Sequence, residues 1–300
     1  MPSPQLQPLL ELLHTRPAPP LESVAALRDE MSIMGAWFNL PDEASCESVD
    51  AGGVAAEWLW LAPVEPQPVV VYLHGGGYVL GSPKTHRELA LRIARAAGAR
   101  VLSIDYRLAP EHPHPAAVDD ALAAYHWLLA AGVAPERVVL MGDSAGGGLV
   151  VATLVALAAS GARLPAAGVC LSPWVDLSIE GASAQQSRPG DPLISPELLR
   201  TMAAHYLADL PAWTPLASPL FAPLAGLPPL LIQVGTAELL YDDAARLAAR
   251  ARAAGVDVQF EPWDDMLHVW HLFAASLPEG RAAIEQVGRY VRERTGTTSP

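Results

Sequence analysis

The stretch Val138-Val-Leu-Met-Gly-Asp-Ser-Ala-Gly146 decides the fold, because a continuously apolar run passes directly into the pattern G-x-S-x-G. This pattern is informative when it ends a buried strand and opens a helix, and a helical pattern does follow over 145–159. A serine at such a junction sits on a sharp, strained turn that lifts its hydroxyl clear of the sheet, and flanking glycines relieve the backbone crowding. The sequence therefore predicts Ser144 as a nucleophile. An ordinary glycine-rich turn with a helix-capping serine is the alternative.

The same alternation of apolar run and helical pattern extends along most of the 300 residues. Short, continuously apolar runs are expected for strands buried on both faces. The likely strands, most of which are such runs, lie at 56–61, 69–73, 101–105, 138–142, 168–171, 230–234 and 258–261. Helical patterns lie between and after them, at 85–97, 116–131, 145–159, 242–254 and 281–294. This order predicts an α/β fold, a mostly parallel twisted sheet flanked by helices.

Two stretches do not follow the alternation, residues 1–39 and residues 181–219. The second is rich in Pro and Ser but contains a helical pattern at 196–207. We interpret both as a helical cap on a single domain of residues 1–300, with plain surface connections as the alternative. Apolar side chains there are candidates for a substrate pocket, although they could equally belong to the core. They are Trp37, Phe38, Met202 and Trp213.

Composition excludes several other classes of protein. The net charge of −13 disfavours nucleic acid as a partner, because an acidic surface repels phosphates. No apolar run is long enough to cross a bilayer, and residues 1–11 lack the basic residues of a signal peptide, so we expect a cytoplasmic protein. Lys84 is the only lysine, no P-loop pattern is present, and the two cysteines have no C-x-x-C spacing. These features exclude a P-loop nucleotide site, a zinc ribbon and a dithiol motif, and they leave Lys84 as the only residue for Schiff-base chemistry, so we expect no metal of the zinc-ribbon kind.

Val69-Val-Val-Tyr-Leu-His-Gly-Gly-Gly77 is a second strand pattern, and it ends in three glycines. Acyl transfer builds negative charge on a carbonyl oxygen, which preorganised backbone N–H groups stabilise. Glycines let such groups approach a ligand closely, and a helix N-terminus also favours an anion. We predict Gly75, Gly76 and Ala145 as the donors of an oxyanion hole, with a flexible turn as the alternative. His74 is expected to brace this loop rather than bind a metal.

A serine hydroxyl needs a base to remove its proton. In enzymes built around such a turn, an acid and then a histidine follow the serine along the chain. His268 follows the last strand pattern and is preferred to His271 as the base. Glu238 is the first carboxylate after the preceding strand pattern, and it would orient the imidazole and stabilise the imidazolium. Asp242 and Asp243 are alternative acids, but they stand at a helix start, where carboxylates commonly cap N–H groups.

With H-G-G-G, G-D-S-A-G, G-T-A-E and a late histidine in this order, the chain resembles the hormone-sensitive-lipase-like, family IV bacterial esterases of the α/β-hydrolase superfamily. The likeness covers nearly the whole chain and includes the segments 105–120 and Asp191-Pro-Leu193. It implies a cofactor-free serine carboxylesterase for short- to medium-chain acyl esters, with an acyl-enzyme intermediate and an N-terminal cap. It supports Ser144, Glu238 and His268 as the triad. Sheet-edge dimers are common in that family, so a homodimer is a further expectation.

Two positions depart from the pattern of that family. Many members carry Asp in place of Glu238, and an aromatic residue is common in place of His114. His112 and His114 form an H-x-H flanked by prolines, which favours a stiff loop with solvated imidazoles over a metal site. The same triad would also serve an amidase, a lactonase or a peptidase. A non-catalytic binding protein is another alternative, and the complete triad argues against it.

Overall fold

The structure is a computed structural model that describes residues 2–16, 19–37, 39–61, 68–185 and 191–297. Eight strands lie within these residues. They are β1 Ser45–Asp50, β2 Ala55–Trp60, β3 Val69–Leu73, β4 Arg100–Ile104, β5 Val138–Asp143, β6 Ala167–Leu171, β7 Leu230–Gly235 and β8 Val258–Trp263. They form one sheet in the order β1-β2-β4-β3-β5-β6-β7-β8.

The strands from β3 to β8 are parallel to one another, whereas β1 and β2 add an antiparallel edge. The prediction of an α/β fold with a mostly parallel sheet is confirmed. The first strand, β1, was not predicted. Its sequence, Ser-Cys-Glu-Ser-Val-Asp, is mostly polar and mostly exposed at the edge of the sheet. A strand of that kind has no continuous apolar run by which to recognise it.

Nine α-helices lie within the described residues. They are α1 Leu6–His14, α2 Val24–Gly35, α3 Pro83–Ala97, α4 Ala116–Ala130, α5 Ala145–Ala159, α6 Ala182–Gln185, α7 Pro196–Leu207, α8 Tyr241–Ala253 and α9 Pro278–Thr295. The six helical patterns read from the sequence correspond to α3, α4, α5, α7, α8 and α9, while the boundaries of α1 and α2 were not predicted. None of the described helices is long and apolar enough to span a bilayer.

The two faces of the sheet bury separate apolar layers, and alternate residues of β3 show this division. Val70 and Tyr72 pack in the layer that contains α3 and α9, whereas Val71 and Leu73 pack in the layer that contains α4, α5 and α8. Helix α5 is buried along most of its length, so its position relative to the sheet is closely determined. Its first turn directly follows β5, at the edge of the sheet where the parallel strands end.

The N-terminal helices and α7 lie over that edge. Arg28 of α2 donates hydrogen bonds to the carbonyl oxygens of Val79 (2.9 Å) and Ala109 (3.0 Å), and it also pairs with Glu111. Tyr206 of α7 stacks on Tyr78, with ring centroids 3.8 Å apart. These contacts attach both helical segments to the loops that follow β3 and β4.

Candidate active site

The predicted catalytic residues meet at the carboxyl edge of the sheet. Ser144 follows β5, Glu238 follows β7 and His268 follows β8, and in parallel strands these ends lie side by side. The Oγ of Ser144 is 2.9 Å from Nε2 of His268, and Nδ1 of His268 is 2.5 Å from Oε2 of Glu238. This is the geometry in which a carboxylate orients an imidazole that faces a hydroxyl.

The turn at Ser144 has the strained backbone that the sequence predicts. Its φ is +53° and its ψ is −122°, a conformation that side-chain-bearing residues rarely adopt. A Cβ at position 146 would collide with the carbonyl oxygen of Leu73, and one at position 142 would collide with that of Gly146. Close backbone packing therefore requires glycine at both positions. Ser144, between them, is the residue that directly precedes α5.

Glu238 is held in place by groups other than the histidine. Its Oε1 accepts hydrogen bonds from the N–H of Gly235 (2.7 Å) and from the hydroxyl of Ser172 (2.9 Å). Its Oε2 is then directed to His268, and the side chain is only 2% exposed. The carboxylate therefore has one fixed orientation toward the imidazole.

The alternative residues have other partners. Asp243 accepts hydrogen bonds from two backbone N–H groups of the loop after β6, and Asp242 accepts one from the N–H of Ser183. His271 is fully buried, and its Nε2 lies 2.8 Å from Oε1 of Gln233. The structure therefore brings Glu238 and His268 to Ser144 and does not bring the alternatives there.

The buried pair of His268 and Glu238 has perturbed proton affinities. Burial by itself would lower the pKa of His268, but the hydrogen bond and charge of Glu238 outweigh it and raise that pKa above its usual value. Burial raises the pKa of Glu238, which the partnership with His268 opposes. A base with a raised pKa accepts a proton from a hydroxyl more readily.

Sequence reasoning missed Ser172, which connects the acid to the loop of the base. Besides donating to Glu238, its Oγ accepts the N–H of Val269 at 3.1 Å. Ser172 directly follows β6, so its position at the carboxyl end of a central strand is the signal that could have identified it.

The oxyanion prediction needs one correction, at Gly75. The N–H of Gly75 donates to Oδ1 of Asp143 at 3.0 Å, so it is not free to meet a substrate oxygen. The cavity beside Ser144 is lined instead by Gly76 and Gly77. The run of glycines was found from the sequence, but the acceptor of the Gly75 N–H is Asp143, which lies 68 residues away along the chain.

Asp143, the second residue of G-D-S-A-G, organises the base of that loop. It accepts the hydroxyl of Tyr72 at 2.6 Å as well as the N–H of Gly75, and its Oδ2 lies 3.5 Å from Nε2 of His86. Burial alone would raise the pKa of Asp143, but His86 and the hydrogen bond from Tyr72 lower it to about 2. Asp143 is therefore a fixed anion beside the glycine loop 75–77.

His74 lies behind the same loop. Its Nδ1 is 2.8 Å from the carbonyl oxygen of Gly75, and its ring stacks on Tyr106 with centroids 4.2 Å apart. The hydroxyl of Tyr106 donates to the carbonyl oxygen of His74 at 2.6 Å. Burial lowers the pKa of His74 to about 3, so the imidazole is neutral. The segment 105–120 thus supports the loop from behind through Tyr106.

An apolar cavity of about 320 Å³ opens onto Ser144 and His268. Helices α1, α2 and α7 supply much of its wall. The apolar lining includes Leu13, Leu21, Leu27, Met31, Met34, Leu80, Trp174, Leu193, Ile194, Leu198, Leu199, Met202, Val269 and Leu272. An uncharged ligand with an aliphatic part therefore fits this space better than a highly charged one.

The four predicted pocket residues lie in different places. Met202 lines the main cavity, whereas Trp37 lines a smaller adjoining cavity of about 50 Å³. The guanidinium of Arg16 lies over the Trp37 ring. Trp213 is 66% exposed and does not line either cavity, because it lies in a turn beyond the end of α7. Phe38 lies outside the described residues.

The H-x-H pair differs from the expectation of two solvated imidazoles. His112 is exposed, but His114 is half-buried, with its ring edge-on to Tyr206 and its Nδ1 3.2 Å from that hydroxyl. Across the described part of the chain, no group of three or more His, Cys, Asp or Glu side chains is placed to hold a metal ion.

Comparison with known proteins identifies the family to which this fold belongs. A family model described as the alpha/beta hydrolase fold matches residues 70–272. An acetyl-hydrolase of Streptomyces hygroscopicus is 52% identical over 248 residues, 83% of each chain. An esterase of Acinetobacter venetianus is 36% identical over 266 residues, 88% of each chain. A crystal structure of an esterase from the bacterial hormone-sensitive lipase family is 50% identical, has a TM-score of 0.95 and covers 99% of this chain and 100% of that chain.

A serine at the end of a central strand, faced by an imidazole and a carboxylate at one sheet edge, is the arrangement of serine hydrolases built on a parallel α/β sheet. This chain belongs to the alpha/beta hydrolase family, and its likeness to esterases of the hormone-sensitive lipase group extends over nearly its full length. The resemblance read from the sequence motifs is thereby confirmed.

Proposed function

We propose that the chain is a serine carboxylesterase that hydrolyses short- to medium-chain acyl esters through an acyl-enzyme intermediate. The observation that carries the proposal is the hydrogen-bonded series of Ser144, His268 and Glu238, with distances of 2.9 Å and 2.5 Å, at the floor of an apolar cavity. Each member has the chemical character that its role requires.

The first half of the reaction transfers the acyl group to the enzyme. His268 Nε2 removes the proton of the Ser144 hydroxyl as Oγ attacks the ester carbonyl carbon. Glu238 accepts the Nδ1–H of His268 and stabilises the imidazolium that forms. The imidazolium then gives its proton to the leaving alkoxide as the ester C–O bond breaks, which leaves the acyl group on Oγ and releases the alcohol.

The second half returns the enzyme to its starting state. A water molecule gives a proton to His268 and attacks the acyl carbon, and the imidazolium then protonates Oγ as the acid departs. In both halves, negative charge develops on the carbonyl oxygen. We assign its donors as the N–H groups of Gly76, Gly77 and Ala145. The first two line the cavity, and the third opens α5, whose positive end favours an anion.

The shape of the cavity supports the substrate class. Its volume of about 320 Å³ is near the lower end of the range of small-molecule sites, which favours esters with small acyl and alcohol groups. A relative named acetyl-hydrolase is consistent with a small acyl group. Helices α1 and α2, together with the segment 181–219 that contains α7, form the proposed cap and supply the apolar wall.

Activity-based labelling and a matched substrate series test the proposal together. The purified protein is treated with a fluorophosphonate probe, and p-nitrophenyl esters from acetate to laurate are assayed beside p-nitroacetanilide. We expect stoichiometric labelling that is lost in Ser144→Ala, highest kcat/KM on short or medium chains, and far slower anilide cleavage. Absence of labelling in the folded wild type would contradict the nucleophile, and a preference for the anilide would assign the site to amides.

A further inference from the structure

The backbone next to His268 is in an unfavourable conformation that needs external support. Val269 has φ +45° and ψ 48°, the left-handed region, which a β-branched side chain strongly disfavours. Such a conformation persists only where the surroundings hold it. The orientation of the His268 imidazole therefore depends on what holds the N–H groups of these two residues.

Two side chains from separate segments provide that support. Ser172, which follows a central strand of the sheet, accepts the N–H of Val269 at 3.1 Å. Asp191, in the segment 181–219, accepts the N–H of His268 through Oδ2 at 3.0 Å. One anchor thus comes from the sheet and the other from the proposed cap.

Asp191 is itself held in place and stands in the cavity wall. Its Oδ1 accepts the N–H of Leu193 at 2.9 Å, so the two carboxylate oxygens have separate tasks, one for its own turn and one for the loop of the base. The residue lines the same cavity as Ser144 and His268. Its carboxylate is thus fixed beside the backbone of His268. Burial raises the pKa of Asp191, whereas the charge of His268 and the backbone N–H groups that the carboxylate accepts lower it.

We propose that Asp191 is a positioning residue for His268: its carboxylate anchors the loop of the base to the cap, and its negative charge stabilises the imidazolium beside that of Glu238. This inference rests on the proposed function, because it assigns Asp191 a role in the same proton transfer. This role accounts for the motif Asp191-Pro-Leu193, which has no function in the triad itself.

The charged surroundings of His268 determine the sign of the expected effect. Burial lowers the pKa of His268, whereas Glu238, Asp191 and Asp143 each raise it, and the net shift is upward. Burial lowers the pKa of His271 to about 3, so that neighbour is neutral near pH 7. Removal of the charge of Asp191 should therefore lower the pKa of His268 and weaken stabilisation of the imidazolium.

The test compares Asp191→Asn and Asp191→Ala with the matched control Asp209→Asn, an exposed carboxylate in the same segment. Asparagine keeps an oxygen for the His268 N–H but removes the charge. We expect kcat to fall about tenfold, KM to stay within about twofold, and the acidic limb of kcat/KM to move about half a unit to one unit lower. Alanine removes both functions and should lower kcat about 10²-fold through misplacement of the base. The control should match the wild type.

Two results would overturn the proposal. The first is a folded Asp191→Asn variant with wild-type kcat and an unchanged acidic limb in its kcat/KM profile. The second is an Asp191→Asn variant with a raised KM and an unchanged acidic limb, which would mean that Asp191 only shapes the cavity. If circular dichroism shows that the asparagine variant does not fold, Asp191→Ser supplies the same pH profile. Ser144→Ala is measured in parallel. Activity that survives in Ser144→Ala refutes the proposed function itself, whereas an inactive Ser144→Ala beside an unaltered Asp191→Asn refutes only the role of Asp191.

Discussion

The turn that carries Ser144 and the loop that carries His268 are held in place by different means. The serine turn is fixed by neighbouring backbone, with glycines at 142 and 146 packed against carbonyl oxygens and α5 buried behind it. The histidine loop is fixed by side chains from distant segments, namely Glu238, Ser172 and Asp191. One half of the site is therefore set by close packing of backbone against backbone, including that of β3, whereas the other half is an assembly of side-chain hydrogen bonds.

This difference indicates how each half should respond to mutation. Changes at the glycines of the serine turn would force backbone apart and endanger the fold, because interiors tolerate little overpacking. Changes at the anchors of the histidine loop remove hydrogen bonds at the edge of the sheet, so they should lower activity while the protein stays folded. Activity and stability measured together can therefore separate the two halves.

The largest effect is expected where the two halves meet. Ser144→Ala and His268→Ala should each lower kcat by roughly 10⁴–10⁶, because hydroxyl and base act as one unit, and the double variant should lose little more. Steady-state kinetics with circular dichroism on the same samples measures this. Near-normal turnover in a folded His268→Ala variant would reject His268 as the base.

Glu238→Gln alters the histidine half alone. An amide cannot stabilise the imidazolium as a carboxylate does, so we expect kcat to fall about 10²–10⁴-fold with little change in thermal stability. Asp242→Asn is the matched control, since that carboxylate has other partners. A larger loss in the Asp242 variant would transfer the role of acid to Asp242.

Asp143→Ala alters the serine half without touching the nucleophile. It leaves the buried N–H of Gly75 and the hydroxyl of Tyr72 without their acceptor, so we expect both lower stability, by about 1–3 kcal/mol, and a loss of kcat of about 10²-fold. Thermal unfolding and kinetics are compared with Tyr72→Phe, which removes only one of the two contacts. Unchanged kcat in the alanine variant would show that the oxyanion loop does not depend on Asp143.

The smallest effect is a shift in pH dependence. His268 must be neutral to act as a base, and its pKa lies above the usual value of about 6.5. The profile of kcat/KM should therefore rise with pH through an apparent pKa above about 6.5 and then level off. Glu238→Gln should move this limb to lower pH, because the anionic partner no longer stabilises the charged imidazole. A wild-type limb centred well below pH 6 would contradict the raised pKa.

Several expectations agree with the structure because they depend on local patterns. Apolar runs marked the central parallel strands, since strands buried on both faces have no polar side. The helical pattern at 196–207 coincides with α7. The polar edge strand Ser45–Asp50 has no such pattern and was missed. Trp213 was proposed as a pocket residue because it is apolar and lies in the proposed cap. Its side chain instead faces solvent, since the folded turn decides which of its side chains point toward the core.

The sequence by itself determined the fold class, the strained serine turn and the short set of candidate acids and bases, because strand and helix patterns and the G-x-S-x-G motif can each be read from a continuous stretch of chain. Only the tertiary structure decided that the N–H of Gly75 belongs to Asp143, and that Ser172 and Asp191 hold the loop of His268. Those choices join residues that are 68 to 97 positions apart. Packing of the whole sheet sets the direction of each N–H group and the distance to its acceptor, and no local pattern contains that information.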